Sequence, residues 1–227
     1  MPGIPRVADG LIRTYEFLEA LSDDVLCAYA ILELDRSSQF KRRCVARAVF
    51  SYLEAVVECI KVEIRSTVRR DNIAASLTEK DEETLETLSL VGSRHTKYLP
   101  LDQNLKRTFK LAAKVWRLTY RLSSGSEAFR SFLASKRARN FLTHPRKFYD
   151  IEVTDLDMHN YSTTYVWFQR EFVGLFRAWM DSLMEGLPAE DVAAPKQAIT
   201  KRDGGGVPLS SRGLRPGKLG ADFHFKQ

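Results

Sequence analysis

Long apolar runs are missing from this sequence, and so are most of the patterns that mark a cofactor or metal enzyme. No stretch of 18 residues is apolar throughout, so no segment reads as a membrane-crossing helix. The opening MPGIPRVADG has neither the basic start nor the apolar centre of a secretory signal. A protein that stays in the cytoplasm is expected. Cysteine is scarce: Cys27, Cys44 and Cys59 form no CxxC or Cys/His spacing, which excludes a disulfide framework and a zinc motif. They are expected as small reduced core residues. With four His and scattered carboxylates, no metal site is expected. GxSxG, a Walker loop, a dinucleotide fingerprint and HExxH are all absent, so no cofactor is expected either. Strand-period alternation and internal repeats are lacking as well.

What is present suits one helical body. A chain of 227 residues with 44% hydrophobic content fills a single core. The net charge of +6 is unevenly placed. Seven Lys/Arg against Asp203 and Asp222 give the segment from Lys196 to Gln227 a charge of +5, leaving +1 for the rest. Any RNA-binding surface on the body must therefore come from local patches. From Pro188 onward Gly, Pro and Ser rise and apolar periodicity stops. Residues 1–187 are expected as a helical domain and 188–227 as a disordered basic tail.

The periodicity predicts an all-α bundle of about five to six helices. Leu11, Tyr15, Leu18, Leu21, Val25, Tyr29 and Leu32 repeat at three and four over residues 11–35. Ser22-Asp23-Asp24 offers a new N-cap that would interrupt this helix. A second helix runs from Ser37 or Ser38 to about Arg70, ~45 Å at ~1.5 Å per residue, with Val45, Val49, Tyr52, Val56, Cys59 and Ile60 inward. Thr78 and Asp81 cap a shorter third. A fourth, over 102–122, puts Leu105, Phe109, Ala112, Trp116 and Tyr120 on one side. Arg107, Lys110, Lys114, Arg117 and Arg121 make a basic stripe on another, with no acid between Asp102 and Glu127. This stripe is a candidate RNA contact. The fifth spans Glu127 to Thr143 and stops at Pro145, leaving His144 at its end. Thr154 and Asp157 cap the last helix. Its row of Tyr161, Tyr165, Phe168, Phe172, Phe176, Trp179 and Leu183 is core or dimer seam.

One segment concentrates functional side chains: Lys136-Arg-Ala-Arg-Asn-Phe-Leu-Thr-His144-Pro-Arg-Lys147, five cations around one imidazole with no acid. On a helical wheel Asn140 lies within about 20° of Phe129, and His144 within about 60°. Both are expected to continue the buried face set by Phe129, Phe132 and Leu133 and to need a partner there. Arg139 lies about 140° around from His144. The two converge only if the arginine wraps or a second subunit completes the cleft.

Arg139-Asn140-Phe-Leu-Thr-His144 resembles the R-x4-H motif of the HEPN superfamily, including the polar residue that the family prefers after the arginine. The match ends a helix in an all-α chain, precedes a proline and is followed by one more long helix, as in family members. Phe50-Ser-Tyr-Leu-Glu54-Ala resembles the helix on which many prokaryotic members carry an acidic residue facing the site. The likeness covers about residues 10–186 in layout. It implies metal-independent RNA cleavage in a homodimer, with Arg139, Asn140, His144 and Glu54 as catalytic candidates and Arg137 and Arg146 adding to the RNA contact. An imidazole, titrating near ~6.5, can move the 2′-OH proton. Arg139 would hold the phosphate, and Asn140 would orient it or the imidazole. Members that modify nucleotides often carry a tyrosine two residues after the histidine, where this chain has Arg146. A toxin or defence effector restrained by an antitoxin or inhibitor fits the family. Two other readings stay open: a non-catalytic module binding RNA, nucleotide or protein, and an interaction protein that dimerises through its last helix. Glu54 also shares a face with Arg47, Glu58, Lys61 and Arg65, the pattern of an exposed, ion-paired surface.

Overall fold

Four of the helix starts are set by side chains that cap their own backbone. In the computed structural model, which describes residues 4–86 and 99–185, the helices are α1 (Ile4–Glu33), α2 (Gln39–Arg70), α3 (Glu79–Glu86), α4 (Leu101–Val115), α5 (Glu127–Thr143) and α6 (Asp155–Met184). Single 3-10 turns lie at Ala74–Ser76 and Phe148–Ile151, and no strand occurs among the described residues. The fold is the expected all-α bundle. Ser38 accepts from the Lys41 amide at 3.4 Å and Ser126 from the Phe129 amide at 3.1 Å. Thr78 with Asp81 and Thr154 with Asp157 form reciprocal capping boxes. Each satisfies amides that a helix start leaves orphaned, worth about 0.5–2 kcal/mol.

Helix α2 is the spine. Val45, Val49, Phe50, Leu53, Val56, Val57, Ile60 and Ile64 are all buried, because α1, α4 and α5 each pack against it. The aromatic row of α6 closes the core. Tyr165 meets Tyr52 at 5.4 Å, Tyr161 meets Phe50 at 6.2 Å, Phe168 meets Phe109 at 6.1 Å, and Trp167 meets Phe129 at 5.5 Å and Phe132 at 5.8 Å. Tyr161, Tyr165, Phe168 and Phe172 are thus spent on the interior of the chain, not held out as a dimer seam. Among the described residues no helix is long and apolar enough to cross a membrane.

Three local expectations are corrected. Ser22 does not interrupt α1: it is 1% exposed and its hydroxyl bonds the Tyr165 hydroxyl at 2.7 Å, inside the core rather than on the helix's own backbone. The cysteines are free, but none is buried, and Cys27 is exposed. The fourth helix ends at Val115, not 122. Trp116 buries its ring and donates to Thr67 Oγ1 at 3.2 Å. Arg117 then takes the left-handed conformation (φ 56°). The Leu118 amide bonds the Ala113 carbonyl at 2.8 Å, and the Arg117 amide the Lys114 carbonyl at 3.3 Å. This is the helix-ending motif that normally takes glycine. The following loop is tied down by buried Glu171, which accepts from the Tyr120 hydroxyl at 2.7 Å, the Ser123 amide at 3.2 Å and the Ser123 hydroxyl. Gly174 lets the Tyr120 ring lie against α6, since a Cβ there would sit 3.3 Å from it.

The chain divides into two units, Met1–Leu175 and Phe176–Gln227. In the second, Phe176 and Trp179 meet edge to face at 5.5 Å. The basic tail expected over 188–227 lies outside the described residues.

Candidate active site at the end of helix α5

Helix α5 buries side chains in its first half only. Phe129 and Phe132 are buried against Trp167, and Ser135, fully buried, shares a 3.1 Å hydrogen bond with Thr164 of α6. Past Ser135 none of its residues is buried. It ends at His144 (φ −130°, ψ 62°), whose amide closes on the Asn140 carbonyl at 3.0 Å. Pro145 permits no further turn.

Arg139 is the residue that this protruding half turns back toward the core. Its guanidinium forms an ion pair with Glu54 of α2, 85 positions away in sequence, and lies over the Phe50 ring at 5.4 Å. The pair is half-buried, with Arg139 27% and Glu54 30% exposed. Burial pushes the Glu54 carboxyl above the ordinary carboxylate range; the Arg139 charge pulls it down without cancelling that effect. Tyr161 completes the surround. Its ring packs on Phe50, and its buried hydroxyl makes no hydrogen bond among the described residues. Burial first, then the Asp157 charge, raises its pKa, while Arg139 lowers it. Four residues from three helices therefore meet: Phe50 and Glu54, Arg139, and Tyr161. The first two sit one helical turn apart on α2. Tyr161 was legible only as one more aromatic of the core stripe.

Asn140 and His144 do not continue a buried face; both are exposed. At ~1.5 Å per residue they lie ~16 and ~22 Å beyond Phe129, on the stretch of α5 where no residue is buried. The His144 imidazole makes no hydrogen bond or ion pair among the described residues, and no contact joins it to Arg139 or Glu54. The structure brings Arg139 and Glu54 together and leaves Asn140 and His144 at the open helix end.

The basic stripe is largely dismantled. Arg107 pairs with Glu83 at 3.1 Å. Lys114 pairs with Asp81 at 2.6 Å and also reaches the Ser76 carbonyl at 3.3 Å. Lys110 is exposed, and Arg117 and Arg121 lie beyond the helix, in the loop. Helix α3 supplies the acids that α4 lacks beyond Asp102. The signal was visible in Glu79-Lys-Asp-Glu-Glu83, an acidic segment complementary to the stripe. The Glu54 face is likewise no exposed surface. Lys61 is fully buried and pairs with Glu58 at 3.1 Å, burial lowering its pKa against the pull of Glu58. Arg65 donates to the Leu85 carbonyl.

Around His144, Lys136 pairs with Asp102 of α4, whereas Arg137, Arg146 and Lys147 are exposed. Among the described residues no group of three or more His, Cys, Asp or Glu is placed to hold a metal ion. Comparison with protein-family models, curated proteins and solved structures finds no match for this chain, so a functional reading rests on the residues and the geometry above.

Proposed function

We propose that this chain is a metal-independent endoribonuclease of HEPN type. The observation that carries the reading is the Glu54–Arg139 pair. The motif resemblance called for an acidic residue of the second helix facing the site, and the reading is supported by Glu54 meeting Arg139 of R-x4-H on a phenyl ring and beside a buried tyrosine. In the reaction the ribose 2′-oxygen attacks the adjacent phosphorus while the P–O5′ bond breaks. The products are a 2′,3′-cyclic phosphate and a 5′-hydroxyl, with no net change in protons. His144 takes the 2′ proton or delivers one to the leaving O5′. Arg139 moves from Glu54 to the phosphate and stabilises its growing charge. Asn140 stands at the same open end to orient either group.

Arg139 and His144 diverge within one chain, so the proposed active unit is a homodimer in which a second copy completes the cleft. That arrangement suits a toxin or defence effector restrained by an antitoxin or inhibitor protein. A second reading, a non-catalytic RNA- or nucleotide-binding module, is favoured by one observation: among the described residues none orients the His144 imidazole.

The deciding experiment is cleavage of single-stranded RNA in EDTA, with end-group analysis. Cleavage that spares DNA, leaves 2′,3′-cyclic phosphate and falls at least ~10²-fold in His144→Ala supports the enzyme. Intact RNA at high protein concentration, with binding retained, selects the module. A 25.9 kDa species by light scattering while RNA is being cut removes the dimer.

A further inference from the structure

Immediately after His144 the chain displays two aromatic side chains to solvent. Phe148 is 87% and Tyr149 62% exposed. Single exposed aromatics are ordinary; two in succession on a fixed turn are not. The turn is held from within and from without. The Asp150 carboxylate accepts from the Arg146 amide at 2.7 Å and the Lys147 amide at 2.9 Å. The Asp150 amide bonds the Lys147 carbonyl at 3.0 Å, and the Glu152 amide the Tyr149 carbonyl at 3.2 Å. Arg43 of α2 clamps the Ile151 carbonyl at 3.2 Å. The backbone beneath the rings is thus held in place, which limits what ordering the turn costs on binding.

The charge that precedes them has one sign, whereas exposed Glu152 follows them. Between Glu127 and Asp150 the sequence has no acid, and the Asp150 carboxylate is already occupied by backbone amides. Arg146 and Lys147 are exposed, and the Lys147 ammonium lies 5.5 Å over the Tyr149 ring. Two cations followed directly by two flat apolar faces fit a polyanion that carries its own flat faces. A duplex keeps its bases stacked inside and offers none to a ring, whereas a single strand offers one per nucleotide.

We propose that the turn from Arg146 to Ile151 is a base-stacking platform: Phe148 and Tyr149 stack unpaired bases of single-stranded RNA while Arg146 and Lys147 hold the intervening phosphates. The platform leads the strand to His144, only four and five residues away. It rests on the ribonuclease reading for what happens next, though not for binding itself.

The test measures binding of a fluorescently labelled single-stranded RNA of about 12 nucleotides to the full chain. The comparison probes are the matching duplex and an abasic strand with the same phosphates. Parent protein should prefer the single strand to both. Phe148→Ala with Tyr149→Ala should weaken that binding at least ~10-fold, leave abasic binding and its salt dependence unchanged, and be largely rescued by Phe148→Trp with Tyr149→Trp. Arg146→Ala with Lys147→Ala should weaken all three probes and flatten the salt dependence. Equal affinity for single strand and duplex, no binding by the parent, or full binding by the double alanine variant overturns the platform. So does loss of self-association in that variant with RNA binding intact, which would make the rings a protein contact. Platform-dependent binding without cleavage sinks the ribonuclease reading alone, and cleavage indifferent to the rings sinks the platform alone.

Discussion

Replacing Arg139 by alanine tests the site and its physics together. Glu54 would remain on α2 with about two-thirds of its side chain covered and no partner for its charge. Stranding a charged acceptor costs about 1–3 kcal/mol, and losing the guanidinium from the Phe50 face adds about 0.5–1 kcal/mol. Because water still reaches nearly a third of the pair, the lower part of that range applies, a net of about 1.5 kcal/mol. For a chain of this size each kcal/mol moves Tm by about 2–4 °C, so a fall of about 3–6 °C is expected. The pH dependence gives the sharper check. Burial already holds the Glu54 carboxyl above its usual range in the parent, and without Arg139 it rises further. A carboxyl with a raised folded-state pKa favours folding only while protonated. The extra loss should therefore be absent below the unfolded value of ~4.3, grow as pH rises through the raised folded value, and be complete at neutral pH. Urea titrations of parent, Arg139→Ala, Glu54→Gln and the double variant at acid and neutral pH give the coupling energy, expected near ~1 kcal/mol. A coupling below ~0.3 kcal/mol, or a defect that grows toward acid, would refute the account of a half-buried pair.

His144→Ala should leave stability within ~0.5 kcal/mol of the parent, since the imidazole bonds none of the described residues, while lowering RNA cleavage at least ~10²-fold; a large fall in Tm would show that His144 is structural. Arg117→Gly should stabilise by about 1 kcal/mol in thermal melts, because φ 56° suits glycine; destabilisation would mean that the arginine side chain holds the loop. Phe132→Ala, fully buried against Phe129 and Trp167, should cost about 3–5 kcal/mol in denaturant titrations. Lys114→Ala should leave the salt slope of single-stranded RNA binding unchanged, because Asp81 already neutralises it, whereas Arg146→Ala should lower the slope by about 0.7; equal slopes would restore the basic stripe.

Local chemistry determined the elements. Ser38, Thr78/Asp81, Ser126 and Thr154/Asp157 start helices because their side chains satisfy amides a few residues away, and Pro145 stops one because its ring forbids the next turn. Such effects act within a single turn of chain and can be read in order. The end of α4 at Arg117 escaped this reading, since glycine is the usual signal for a left-handed terminus, and here the buried Trp116 and the network at Glu171 hold an arginine in its place. Periodicity did not give the burial of Asn140 and His144, which are exposed. Burial depends on how far along α5 the neighbouring helices reach, an axial coordinate that a wheel does not contain. The pairing of charges between helices was decided by the tertiary structure. The acids of α3 claim Arg107 and Lys114 of the apparent stripe, while Glu54, one charge among many on α2, becomes the partner of Arg139 only because helix packing closes a separation of 85 residues.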